Sequence, residues 1–205
     1  MKYILTLLLV FSAYSFSYNE NKLKVVQIYT QDELLALIKE NKHLDKVKAD
    51  RCQLNRDIED HAVKLHIPAY EFLYGDMLAW GVCIEKDAEL GIYYIRKSAK
   101  QGLVAAIEQM GRYYHEGIFV QKDIDKAHTL IFRAAELGNL NAQMRLVQMH
   151  LDGVGSPYDY EQSYKWLHHA IIEDSTTHQK VATLLAKLAK LMHPKALKRA
   201  KHTPI

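Results

Sequence analysis

One spacing constrains this chain more than anything else in it: the segment from Gly111 to Gly138 recurs at an interval of 36 residues. Gly75, Gly81, Asp87, Ser98-Ala99 and Gly102 return as Gly111, Gly117, Asp123, Ala134-Ala135 and Gly138, and partly again as Gly153, Asp159 and Ala170. A fixed period of this length without insertions marks a repeat array. Within a unit, Ile107, Met110, Tyr113 and Tyr114 recur at helical spacing, and so do Ala127, Leu130, Ile131, Ala134 and Ala135. Gly117 supplies the backbone freedom for a turn between two helices. Asp123 is placed to accept from the free N–H groups that open the second helix. Gly138 is placed to end it. Small residues at Ala106, Gly111, Ala127 and Ala134 allow close helix approach. Each unit therefore reads as a helical hairpin, and a lone hairpin cannot bury its apolar face, so neighbours must stack. The expected fold is all-α, an α-solenoid with units at 68–102, 103–138 and 139–174. The third unit departs from the pattern. Val147 stands where Gly111 stands, Asp174 stands where Gly138 stands, and only the loop from Asp152 to Asp159 keeps the usual form.

The flanking segments read differently. Met1-Lys2, the apolar run Tyr3 to Phe11 and the small residues after it form a signal peptide over residues 1–17, with cleavage near Ala13 to Ser17. That run is too short to span a bilayer comfortably, so the mature chain is expected to be exported. Residues 18–67 form an N-terminal segment with two helices. Val25 to Tyr29 has the composition of a short strand. Thr30-Gln31-Asp32-Glu33 is a capping box that opens the first helix. Leu44, Val47, Leu54, Ile58, Ala62 and Leu65 form the stripe of one second helix, with Cys52 on its flank. Residues 175–205 hold a capping helix over 176–193, which Pro194 ends, and a frayed basic tail.

Charge is unevenly placed. After Asp174 there are seven bases (Lys180, Lys187, Lys190, Lys195, Lys198, Arg199 and Lys201) and no acid, leaving 20 bases against 24 acids elsewhere, a charge of −4. A mildly acidic body is not that of a nucleic-acid binder. The basic end is either a solvated end or a contact for an acidic partner or a polyanionic envelope surface. Catalytic signals are missing. His168-His169 diverge on a helix and cannot chelate together, His115-Glu116 lacks the second histidine of a zinc motif, and no nucleotide loop or nucleophile elbow occurs. We expect no enzyme activity, no cofactor and no metal. The two cysteines, Cys52 and Cys83, suit a disulfide in an exported chain, worth about 3–4 kcal/mol on the chain-entropy model. Two free buried thiols are the alternative. The aromatic residues are dense in the repeats. Most suit core packing between hairpins, while Tyr74, Trp80, Tyr94, Tyr114 and Trp166 are candidates for a binding surface, where tyrosine and tryptophan are enriched.

Two resemblances extend this reading. Met110-Gly111-Arg-Tyr-Tyr114, Gly117, Asp123, Ala127, Ala134-Ala135 and Gly138 resemble the Sel1-like repeat, a relative of the tetratricopeptide repeat. Across nearly the whole mature chain, several segments are similar to the MotX family, exported components of sodium-driven polar flagellar motors. They are Ile28-Tyr-Thr-Gln-Asp-Glu-Leu-Leu35, Cys52-Gln-Leu54, Tyr74-Gly-Asp-Met-Leu-Ala-Trp-Gly-Val-Cys83, Glu89-Leu-Gly-Ile-Tyr-Tyr94 and Gly155-Ser-Pro-Tyr-Asp-Tyr-Glu161. The family's cysteines map onto Cys52 and Cys83. The resemblance implies a non-enzymatic periplasmic component that joins MotY in the T ring around the flagellar basal body. There it would hold the PomA–PomB stator by contact with PomB, and recruitment to a ring would imply self-association. The alternative keeps the module and changes the client: a periplasmic repeat adaptor for another envelope complex.

Overall fold

Eleven α-helices carry the described residues, 27–203, of a computed structural model, and no strand occurs among them. The expected signal peptide at 1–17 and most of the lead-in to Tyr29 lie outside those residues. Three helices precede the repeats: α1 (Gln31–Lys39), α2 (His43–Ala49) and α3 (Asn55–Val63). Three hairpins follow. They pair α4 (Pro68–Trp80) with α5 (Ala88–Lys100), α6 (Val104–Glu116) with α7 (Ile124–Glu136), and α8 (Leu140–Leu151) with α9 (Tyr160–His168). The chain closes with α10 (Ser175–Ala189) and α11 (Pro194–His202).

The repeat chemistry sets these boundaries. Asp87 and Asp123 occupy the caps of α5 and α7, and their carboxylates accept from the Leu90 and Lys126 amides at 2.9 Å. Gly81 and Gly117 end α4 and α6 in the left-handed region, at φ 70° and 73°. Pro68 sits in the first turn of α4, where its missing N–H costs nothing. The close helix approach is tightest in the first hairpin. A Cβ on Gly91 would stand 2.6 Å from the Ala79 nitrogen and the Gly75 oxygen, so only glycine lets α5 cross α4 there. At Gly111 the corresponding obstacle is the Ile131 side chain. In the third hairpin Val147 fills the position and packs with Tyr164 and Leu167 in a separate C-terminal cluster.

Four expectations need correction. The single second helix is two helices, because Arg51 and Cys52 take left-handed φ values of 55° and 60° between them. The Cys52 amide bonds back to the Val47 carbonyl and closes α2, and the chain then turns so that Leu54, Ile58 and Ala62 are buried. Leu65, expected on the same stripe, lies beyond the end of α3 and is 61% exposed. Val25 and Val26 lie outside the described residues, and no strand forms among the described residues of the expected Val25–Tyr29 segment: Gln27 to Thr30 has no regular secondary structure. It is held instead by side chains, with Tyr29 buried and its carbonyl accepting from the Tyr70 hydroxyl. Thr30 does cap α1, accepting from the Glu33 amide at 3.2 Å.

The last correction concerns the C-terminal end. Asp174, at the place of the missing repeat glycine, caps the expected final helix, its carboxylate accepting from the Thr177 amide at 2.7 Å at the start of α10. Pro194 begins a further helix rather than ending the ordered chain. It occupies the first turn of α11, and Leu197 and Ala200 pack into the C-terminal cluster. The tail is therefore folded through His202. Two apolar clusters result. One runs from α1 through α9, and the other joins Val147 of α8 to α9, α10 and α11.

Candidate partner-binding surface

The first helices of the three hairpins line a groove of about 1390 Å³. It begins against Leu35 of α1, passes Trp80, Arg112 and Arg145, and ends at Trp166 and Ile171. Trp80 is 46% exposed and Ile171, in the loop after α9, is 90% exposed, so the groove presents apolar groups to solvent.

Its floor is polar and built from buried charge. α4 is buried nearly all round, yet it carries Glu71 and Asp76, which are 0% and 2% exposed. An unanswered carboxylate in such a place costs several kcal/mol. Each acid has dedicated partners. Asp76 Oδ2 lies 2.8 Å from His43 Nε2 of α2, and its Oδ1 accepts from Gln109 Nε2 of α6 at 2.9 Å. The Tyr113 hydroxyl donates to the same oxygen at 3.3 Å and accepts from Trp80 Nε1 at 3.1 Å. Burial, then the Asp76 charge, raises the Tyr113 phenol well above its ordinary range, so it remains a donor. Arg112 Nη2 donates to Gln109 Oε1 at 2.9 Å. Further along, Arg145 of α8 stands 3.5 Å from the nearly buried Glu108 and 3.0 Å from Glu116. Burial pushes the Glu108 carboxyl up, against the pull of Arg145 and Arg112. On the other side of α4, Glu71 pairs with Lys97 of α5 at 2.7 Å and accepts from Gln101. The polar chain thus runs from the N-terminal helices across every hairpin.

A covalent tie reinforces its first link. Cys52, just after α2, and Cys83, in the loop between α4 and α5, form a disulfide with Cα atoms 5.4 Å apart and a sequence separation of 31. Asn55 at the start of α3 donates to the Cys83 carbonyl beside it.

The five aromatic candidates do not converge on one surface. Trp80 and Trp166 line the groove, but Trp166 is buried edge-on against Phe132 and serves the core. Tyr74 is buried between α3 and α5. Its hydroxyl donates to Glu59 at 3.3 Å and its ring meets Tyr94 edge-on at 5.2 Å. Tyr114 lies under the Lys126 ammonium, 4.8 Å from the ring centroid. His43, Asp76, Gln109, Arg112 and Arg145 are the groove residues that reading the sequence missed. The available signal was Glu71 and Asp76, two acids in the otherwise apolar run Pro68–Trp80. Buried acids in such a run require partners elsewhere in the chain.

Comparison with known proteins agrees with this architecture. The Sel1 repeat family model matches residues 68–103, 104–139 and 140–172. A crystal structure of a Sel1 repeat protein from Oxalobacter formigenes superposes with a TM-score of 0.52 at 19% identity. That match covers 75% of this chain and 56% of the other, about half its length, and it speaks to the fold alone. The chain is also 47% identical over 176 residues to the sodium-type polar flagellar protein MotX of Vibrio parahaemolyticus (serotype O3:K6, strain RIMD 2210633), covering 86% of this chain and 83% of the relative. This Sel1-repeat solenoid belongs to the MotX family of sodium-type polar flagellar proteins.

Proposed function

We propose that this chain is a non-enzymatic structural component of a sodium-driven polar flagellar motor, exported to the periplasm and bound at the basal body. In this reading it joins MotY in the T ring and holds the PomA–PomB stator in place through PomB. The observation that carries the reading is 47% identity across 86% of the chain to a MotX protein. The molecule is suited to such a task. A stack of hairpins is an extended scaffold with room for more than one partner, and a disulfide suits an oxidising compartment. Glu71, Asp76 and Glu108 are engaged in holding helices together rather than poised for chemistry. No helix of the described residues is long and apolar enough to cross a membrane; in this reading the stator conducts ions and this chain contributes anchorage.

Co-isolation tests the reading. The oxidised, tagged full-length protein, expressed with MotY and with the periplasmic portion of PomB, should retain both on affinity resin. Retention of neither by correctly folded protein would contradict it.

A further inference from the structure

We infer that the C-terminal end of the solenoid, where α11 lies on α9, is a docking surface for an acidic segment of a partner protein. The charge of this surface is independent of which assembly the chain serves.

The lysines from Lys180 to Lys201 are all exposed, and none of them forms an ion pair among the described residues. The N-terminal helices behave differently: Lys46 pairs with Asp50, Lys48 with Asp45 and Lys64 with Asp60, each within a helical turn. At the C-terminal end only Arg199 is paired, its Nε donating to Glu161 of α9 at 2.7 Å. That bond, with Leu197 and Ala200 packed into the C-terminal cluster, fixes α11 in place. Lys195, Lys198 and Lys201 then follow at three-residue intervals on a held helix, one turn apart along the surface.

A second observation concerns what these bases face. Lys201 and His202 of α11 act electrostatically on His168 of α9, and so does His169. The His168 and His169 rings are 5.0 Å apart. Burial, then His169, Lys201 and His202, hold the His168 imidazole below its ordinary range. With Glu161 of α9 already engaged by Arg199, the ammonium groups of Lys195, Lys198 and Lys201 have no carboxylate partner among the described residues, and an incoming carboxylate would supply one. Electrostatic complementarity of this kind steers and orients a partner. The apolar side of α11 is already spent in the C-terminal cluster, so the helix has no apolar face left to insert into a lipid surface, as interfacial helices do. A protein segment rich in aspartate and glutamate fits this surface without any apolar insertion.

The test uses the full-length oxidised protein and a fluorescently labelled deca-glutamate peptide, read by anisotropy at low and at physiological salt. The peptide should bind, more weakly as salt rises. The triple variant Lys195→Glu/Lys198→Glu/Lys201→Glu should bind at least about tenfold more weakly. Reversing three exposed lysines of the body, Lys86, Lys100 and Lys122, should change affinity by less than about twofold. The triple glutamine variant, with an unchanged circular dichroism spectrum and melting temperature, should lie between wild type and the glutamate variant, which controls for unfolding. Absence of peptide binding, or equal losses from the two sets of reversals, would overturn the inference. So would binding to phosphatidylglycerol vesicles without binding to the peptide.

Discussion

Replacing Cys52 or Cys83 by serine lowers the stability of the oxidised protein by about 3–4 kcal/mol, the chain-entropy value for a loop of this size. The bond spans 31 residues and ties the turn after α2 to the loop of the first hairpin. Without it, α2 is held to α4 mainly by noncovalent contacts, His43 to Asp76 and the packing of Val47. A domain of this kind is stable by only about 5–15 kcal/mol, so the loss is a large fraction of the total. Urea denaturation of purified wild type and variants measures it directly. Because each single substitution already removes the whole bond, the double variant should be no less stable than either single one. Adding reductant to wild type should reproduce the same loss. An additive effect in the double variant, or no effect of reductant, would show that the serine substitutions act through something other than the bond.

Asp76→Ala is expected to cost as much, about 3–5 kcal/mol, the usual range when one partner of a buried charge network is removed. Three side chains lose an acceptor at once: His43 Nε2, Gln109 Nε2 and the Tyr113 hydroxyl. These groups come from α2 and α6, so the change loosens the polar links from α4 to both helices. Leaving buried donors unsatisfied costs more than never having had the network. The variant Asp76→Leu/Gln109→Leu should therefore lose less than the sum of its single changes. Equilibrium denaturation of the four proteins in this cycle is the check. A loss below about 1 kcal/mol for Asp76→Ala would place the network outside the structural core of the molecule.

These two predictions also mark where reading the sequence succeeds and where it stops. The hairpins were legible because their signals are local. Asp87 and Asp123 cap the helix immediately after them, and Gly81 and Gly117 end the helix immediately before, so a 36-residue spacing carries both. The disulfide was legible because only two cysteines exist to form it. The break at Cys52 was not, because Leu44 to Ala62 keeps a helical apolar rhythm through the turn. The left-handed residues Arg51 and Cys52 that interrupt it are neither glycine nor asparagine. Pro194 misled for a related reason: proline stops a preceding helix and starts a following one with equal ease. The packing of Leu197 and Ala200, a tertiary fact, decides between them. The groove lay furthest from view. Its polar floor pairs His43 with Asp76 and Asp76 with Gln109, each across 33 residues, and the 36-residue repeat does not encode those partnerships. The aromatic candidates scattered for the same reason, since Tyr74 and Trp80 share a helix but face different neighbours.

The central claim is that this chain anchors the stator of a polar flagellar motor. Swimming in a strain lacking the gene, with electron microscopy of its isolated basal bodies, tests that claim most directly. The account predicts cells that build normal filaments yet do not swim, with basal bodies missing the periplasmic ring, and recovery of both on re-expression of the wild-type chain. Normal swimming with an intact ring would contradict it.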